Sequence, residues 1–132
     1  MIWELNINTK KRNELVDITN KIESVVKEAK VKEGICIVYC PHTTAAITIN
    51  EGADPDVKED ILERLSKMVP EEGSYKHSEG NSAAHIKSSL VGASETIIIK
   101  EGKLMLGRWQ SIYFAEFDGP RKREVIVKII SG

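Results

Sequence analysis

The chain of 132 residues contains only three histidines, and two of them, His77 and His85, lie eight apart in one stretch, HSEGNSAAHIK, running from His77 to Lys87. The stretch mixes glycine with small polar residues, and no apolar periodicity accounts for its imidazoles as core filler. Gly80-Asn81-Ser82 reads as a loop, and Ser82 as the N-cap of a short helix over Ala83 to Leu90 with His85 in its first turn. In that position the helix dipole favours a neutral imidazole, and exposed amides favour an anion. Neutral imidazole is also the form that binds a metal, and Asn81 offers an amide oxygen beside it. The competing reading is a solvated His77 and a capped surface His85, and this stretch alone leaves both open.

Two further stretches carry residues able to do chemistry. In GRWQSIYFAEFDGP, Gly107 to Pro120, strand alternation puts Trp109, Ser111, Tyr113, Ala115 and Phe117 on one face and Gln110, Ile112, Phe114, Glu116 and Asp118 on the other. A carboxylate at Glu116 among apolar neighbours requires a cation, a metal or a proton, unless the strand ends there and Glu116 and Asp118 reach water. In HTTAAITINE, a strand from Thr43 to Glu51 turns Ala45, Ile47 and Ile49 to the core and gives His42, Thr44, Thr48 and Asn50 a shared polar face. A polar face without Lys or Glu suits a pocket lining, although Thr is common on any strand face.

The elements that must position these residues follow from pattern. Trp3, Leu5 and Ile7 alternate with polar residues over positions 2 to 9, as in a half-buried strand. An extended piece over Leu15 to Ile18 leads into a helix whose face is Ile18, Ile22, Val25, Val26 and Ala29, with Thr19 as cap and Glu33-Gly34 as its end. Ile35 to Tyr39 is apolar on both faces, which predicts a central strand covered on both sides. Asp54-Pro55 opens a helix with the stripe Val57, Ile61, Leu65 and Met68, and its acidic first turns and Lys67 near the end suit the dipole. After Gly92 come strands over Glu95 to Lys100, Leu104 to Leu106, the Trp109 stretch, and an alternating final strand through Val125, Val127 and Ile129. Seven or eight strands against three helices make an α+β fold, an antiparallel β-sandwich or partly closed barrel with about three flanking helices in a single domain over 1–132.

Composition removes several function classes. With 19 basic against 20 acidic residues there is no electrostatic case for nucleic acid or an anionic membrane. No apolar run approaches the ~20 residues of a membrane span, and the start lacks a signal-peptide pattern, so a cytoplasmic protein is expected. Cys36 and Cys40, four apart on one strand face, would sit about 13 Å from each other, too far to bridge. They read as buried reduced thiols, since no second cysteine pair completes a zinc site.

Taken together, PHTTAAITINE (Pro41 to Glu51), HSEGNSAAHIKSSLVG (His77 to Gly92) and GRWQSIYFAEFDGPR (Gly107 to Arg121) resemble the YjbQ family, over essentially the whole chain. The resemblance implies a compact homotrimer of β-sandwich-like subunits with flanking helices. For function it implies secondary thiamine-phosphate synthase activity, in which a pyrimidine pyrophosphate is condensed with a thiazole phosphate. The family's signature polar residues match His42, His77 and His85, and Asn50-Glu51, Asp54, Trp109-Gln110 and Glu116 match as well. The segment after Glu116 varies among members, and Asp118-Gly119-Pro120-Arg121 fits one common version.

On that resemblance His42, His77 and His85 would form a tris-imidazole metal site, zinc first, with an open position for water or substrate. Glu116 or Glu51 would act as general base or orient an imidazole, alongside His85 in the catalytic set. Arg108, Lys87 and Arg121 would supply charge to a pyrophosphate, together with Mg²⁺, while Asn81, Trp109 and Gln110 would complete the ligand site. The alternatives are a non-catalytic trimer that binds a metal or a small phosphorylated ligand, and a purely structural oligomer.

Overall fold

A computed structural model describes residues 1–132. In chain order the elements are β1 (Ile2–Asn8), β2 (Glu14–Asp17), α1 (Thr19–Ala29), β3 (Gly34–Tyr39), β4 (Ala45–Glu51), α2 (Pro55–Met68), α3 (Ser82–Val91), β5 (Ser94–Lys100), β6 (Lys103–Leu104), β7 (Gln110–Glu116) and β8 (Lys122–Ser131). They form two antiparallel sheets, one of five strands in the order β1-β8-β3-β5-β6 and one of three in the order β2-β7-β4. The fold is α+β with three helices and eight strands, as the patterning indicated. The last strand in sequence lies inside the large sheet, paired on one side with β1 and on the other with β3.

Strand β7 is apolar on both faces because it lies between two cores. Ile112 and Phe114 enter the larger core, with α1, β3, β5 and β8, while Tyr113, Ala115 and Phe117 enter a smaller one under α2 and α3. Helix α1 is docked where it starts: the Ile18 amide donates to the Ile112 carbonyl at 2.9 Å, and the Ile112 amide donates to Thr19 Oγ1 at 2.9 Å. Thr19 is therefore inside the helix and not its cap; the cap position is Ile18, which makes no side-chain cap bond, and Asp17 Oδ1 accepts from the Thr19 amide at 2.9 Å. Helix α3 is tied to β4 by Ser88, whose hydroxyl donates to the Ala45 carbonyl at 2.6 Å.

The Asp54-Pro55 start of α2 forms as read, with Asp54 Oδ1 accepting from the Asp56 amide at 2.9 Å. Its stripe is only half-buried, however: no residue of α2 is fully buried, and Met68 is exposed. The expectation for β3 also needs correction. Cys36 and Val38 are buried, but Ile35 and Ile37 are half-buried and Tyr39 is exposed, because no layer of this chain covers the outer face of the large sheet. The strand expected from Thr43 begins at Ala45, and the one expected over Leu104 to Leu106 shrinks to Lys103–Leu104. Both cysteines are buried free thiols, and burial alone raises Cys36 to about 11.

Candidate functional site

One polar cavity gathers much of the chemistry. Its volume is about 370 Å³, and none of its lining residues is hydrophobic. Three segments build it: Pro41 to Thr44 ahead of β4, Glu79, Asn81 and His85 around the start of α3, and Asp118, Arg121 and Arg123 between β7 and β8. Sheet pairing brings the segments together, since Ala45 lies opposite Glu116 in the small sheet and β8 carries Arg123 towards the interior.

The floor of the cavity is organised by a buried ion pair. Glu116 is fully buried, and Arg123 is 3% exposed. Arg123 donates from Nε to Glu116 Oε1 at 2.9 Å and from Nη2 to Glu116 Oε2, and Nη2 also reaches Thr44 Oγ1 at 2.9 Å. Thr9 donates its hydroxyl to Glu116 Oε1 at 2.7 Å, and the Asp118 amide donates to Oε2 at 3.0 Å. Burial alone would raise the Glu116 carboxyl, but these bonds from Arg123, Thr9 and Asp118 outweigh it and hold the group below its ordinary value. The cation that a buried Glu116 demanded is thus Arg123. With both oxygens engaged, Glu116 positions Arg123 and the Asp118 backbone and has no free lone pair directed at a substrate, so the general-base role expected for it is not what the geometry provides.

His42 is held in one tautomer. Its Nε2 accepts the Glu124 amide at 2.9 Å, which leaves the proton on Nδ1. Burial first, and Arg123 next, push its pKa down, so the ring is neutral at pH 7. His85 sits one turn into α3, and the His77 ring lies edge-on to it with centroids 5.4 Å apart. His77 does not line the cavity; its Nε2 is 3.7 Å from a Glu79 carboxylate oxygen.

The cap at the start of α3 is Asn81, one residue earlier than the Ser82 expected, and it makes no side-chain cap bond. The Asn81 amide instead donates from Nδ2 to Asp118 Oδ2 at 2.9 Å, while its buried Oδ1 accepts from nothing in the chain. The Ala84 and His85 amides already donate to the Asn81 carbonyl, and neither Ser82 nor Ala83 lines the cavity. Anion chemistry therefore falls to side chains. Arg121 is the most accessible cation there, donating to Asp118 Oδ2 at 3.0 Å.

The remaining expected site residues lie elsewhere. Lys87 is fully buried on the far side of α3, where Nζ is 3.3 Å from Glu71 and 3.2 Å from Asn13. Glu71 in turn pairs with Arg12 at 3.2 Å, and Arg12 with Asp118 at 3.7 Å, so Lys87 reaches the cavity only through a chain of charges. Glu51, Arg108, Trp109 and Gln110 form a separate group at the opposite end of β7, where Glu51 pairs with Gln110. Seven residues of strand set them about 20 Å from Glu116. Arg108 stacks over the exposed Trp109 ring at 4.9 Å, and Gln110 accepts the Gly107 amide at 2.7 Å.

A tris-imidazole centre is not preassembled. No group of three or more His, Cys, Asp or Glu is placed to hold a metal ion, and the His42 Nε2 lone pair is already engaged. Thr44, read in the sequence as part of a pocket-lining strand face, does line the cavity, whereas Arg123 was missed as a site residue; its only sequence signal was the need of Glu116 for a counter-ion.

Comparison with known proteins gives consistent matches. The family model described as UPF0047 protein YjbQ-like matches residues 3–132. The chain is 62% identical to the UPF0047 protein MJ1081 of Methanocaldococcus jannaschii, over 98% of this chain and 94% of that protein. It is 52% identical to YugU of Bacillus subtilis, over 98% of this chain and 99% of that one. Among solved structures, a YjbQ/UPF0047 protein from Clostridium acetobutylicum superposes with a TM-score of 0.96 at 58% identity, covering 97% of this chain and 99% of that one. A protein of Sulfolobus solfataricus, described as YbjQ-like and of unknown function, does so with a TM-score of 0.96 at 36% identity, covering 100% and 97%.

Proposed function

This chain belongs to the UPF0047 YjbQ-like family, and on that premise we propose that its polar cavity binds a small phosphorylated molecule and catalyses thiamine-phosphate formation as a secondary activity. In that reaction the thiazole nitrogen attacks the methylene carbon of the pyrimidine, a C–N bond forms, the C–O bond breaks, and pyrophosphate leaves with the electron pair. The attacking nitrogen has no proton to lose, so the step calls for stabilisation of the leaving group and not for a general base. An Arg123-bound Glu116 is compatible with such a step. Arg121, with Thr43, His85 and the cavity-lining Arg123, would hold the pyrophosphate, and the orphaned Asn81 Oδ1 would accept from an amino or hydroxyl group of the ligand. A divalent ion would enter as Mg²⁺ on the pyrophosphate; the imidazoles as placed do not fit a resident zinc, and no step is routed through one. The protein would act in the cytoplasm as a homotrimer.

The observation that carries this reading is a cavity of ligand size whose walls include two guanidinium groups and two imidazoles, with Pro41 its one aliphatic side chain. The assay is thiamine phosphate formation from the two phosphorylated precursors with Mg²⁺, in which Arg121→Ala and His85→Ala should each lower the rate at least tenfold. Product formation unaffected by either substitution would refute it. The second reading, a binder without turnover, is supported by Arg121 and Arg123 in the lining, which suffice to hold an anion, and predicts calorimetric binding of pyrophosphate with no product at any pH.

A further inference from the structure

Two guanidinium groups line the polar cavity, and they are held by different means. Arg123 is fixed directly by the buried Glu116 carboxylate. The Arg121 side chain is 48% exposed, and its guanidinium is bonded only within its own turn: Nε donates to the Asp118 carbonyl at 2.9 Å and Nη2 to Asp118 Oδ2 at 3.0 Å. The charge on Arg121 therefore goes wherever the turn from Asp118 to Arg121 goes.

That turn is set by the residue just beyond β1. The ladder of β1 and β8 ends with Asn8 opposite Lys122, which leaves Thr9 opposite Arg121. The Thr9 amide donates to the Arg121 carbonyl at 3.0 Å, but the Arg121 amide donates at 3.0 Å to Thr9 Oγ1 in place of a main-chain oxygen. The hydroxyl has a single proton, and of the two acceptors in reach Glu116 Oε1 at 2.7 Å is nearer than the Arg121 carbonyl at 3.0 Å and, as a carboxylate, the stronger. Glu116 Oε1 is also the oxygen that accepts from Arg123 Nε. Thr9 is 7% exposed, the Gly119 amide donates to the Arg12 carbonyl at 3.1 Å, and a Cβ on Gly119 would lie 2.9 Å from Thr9 Oγ1, so the turn has little room to shift.

We infer that Thr9 is a positioning residue of the cavity: its hydroxyl sets the Arg121 backbone against the buried Glu116–Arg123 pair and so fixes the spacing of the two guanidinium groups that receive a pyrophosphate. The inference rests on the reading of the cavity as a pyrophosphate site and adds a residue that does not line it. Pyrophosphate presents two phosphoryl groups a set distance apart, so two cations grip it together only at a matching separation. Both guanidinium groups are referenced to one carboxylate, Arg123 by direct bonds and Arg121 through the Thr9 hydroxyl. Threonine suits the place because its branched Cβ restricts χ1 and holds the hydroxyl in one direction. Serine keeps the hydroxyl, whereas valine keeps the shape and removes both of its bonds.

The test uses the full chain and calorimetric titration with inorganic pyrophosphate. Thr9→Val should weaken binding by about fivefold or more, while Thr9→Ser should stay within about twofold of wild type. On an Arg121→Ala background Thr9→Val should change the affinity by less than about twofold, since the group it positions is gone, whereas damage to the fold at large would weaken both backgrounds alike. Should Thr9→Val fail to fold, the wild type itself answers without ligand: the Thr9 hydroxyl proton should exchange slowly enough to be seen by NMR, with a nuclear Overhauser contact to the Arg121 amide. Wild-type affinity in a folded Thr9→Val, equal weakening on both backgrounds, a Thr9→Ser as weak as Thr9→Val, or a hydroxyl proton lost to fast exchange would each overturn the assignment. The two failures are distinguishable. Wild type without affinity for pyrophosphate refutes the reading of the cavity, whereas wild type that binds beside a Thr9→Val that binds equally well refutes only the role of Thr9.

Discussion

Glu116 and Arg123 show how a buried pair constrains mutation. Replacing Glu116 with Gln leaves a 3% exposed guanidinium without its counter-charge, and the expected loss is about 3–5 kcal/mol in urea unfolding. Replacing both partners with apolar residues should cost much less. The pH dependence has a definite sign. Because the folded carboxyl lies below its ordinary 4.5, its stabilisation is complete above that value and is lost as pH falls through the lower folded pKa. Acid unfolding of wild type should therefore steepen below about pH 4.5, and Glu116→Gln should remove that part of the profile. His42 behaves differently. A lowered imidazole pKa means that the unfolded chain takes up the proton first, so stability is lost as pH falls below the ordinary 6.5. Nitrogen-detected NMR should find the Nδ1–H tautomer and a midpoint below 6.5, and a midpoint above that value would contradict the Glu124 contact.

Local signals in the sequence were decisive for some elements and insufficient for others. Asp54-Pro55 marked the start of α2 because cap and ring chemistry act within one turn. The alternation through Tyr113 to Phe117 is visible in the letters, and the two cores on either side of β7 follow it. The demand of Glu116 for a cation was legible, but the identity of that cation was not. Arg123 is seven residues away, on a different sheet, and nothing local marks it. The occupancy of His42 was hidden for a similar reason: the ring looks unoccupied in sequence, yet an amide from β8 takes its Nε2 lone pair. Close packing of elements makes a further prediction. A Cβ on Gly34 would lie 2.1 Å from the Ile130 carbonyl oxygen, so Gly34→Ala should force β3 and β8 apart and cost more than the ~1 kcal/mol typical of a point substitution, measured as a lower urea midpoint.

Across the whole molecule, stability should be graded from the shared strand outward. β7, β8 and β3 line the larger core on several sides, whereas α2 buries no residue completely. Amide exchange should accordingly be slowest in β3, β7 and β8 and fastest among the helices in α2, and a uniformly protected α2 would contradict that ordering. No helix is long and apolar enough to cross a membrane. The placement of β8 carries a consequence for biosynthesis. Since residues 122–131 fill the gap between β1 and β3, a nascent polypeptide still lacking them has two strands with nothing to join them. The large sheet cannot close until that segment has left the ribosome, so early termination shortly after Arg121 should yield insoluble or rapidly degraded product instead of a shorter folded protein.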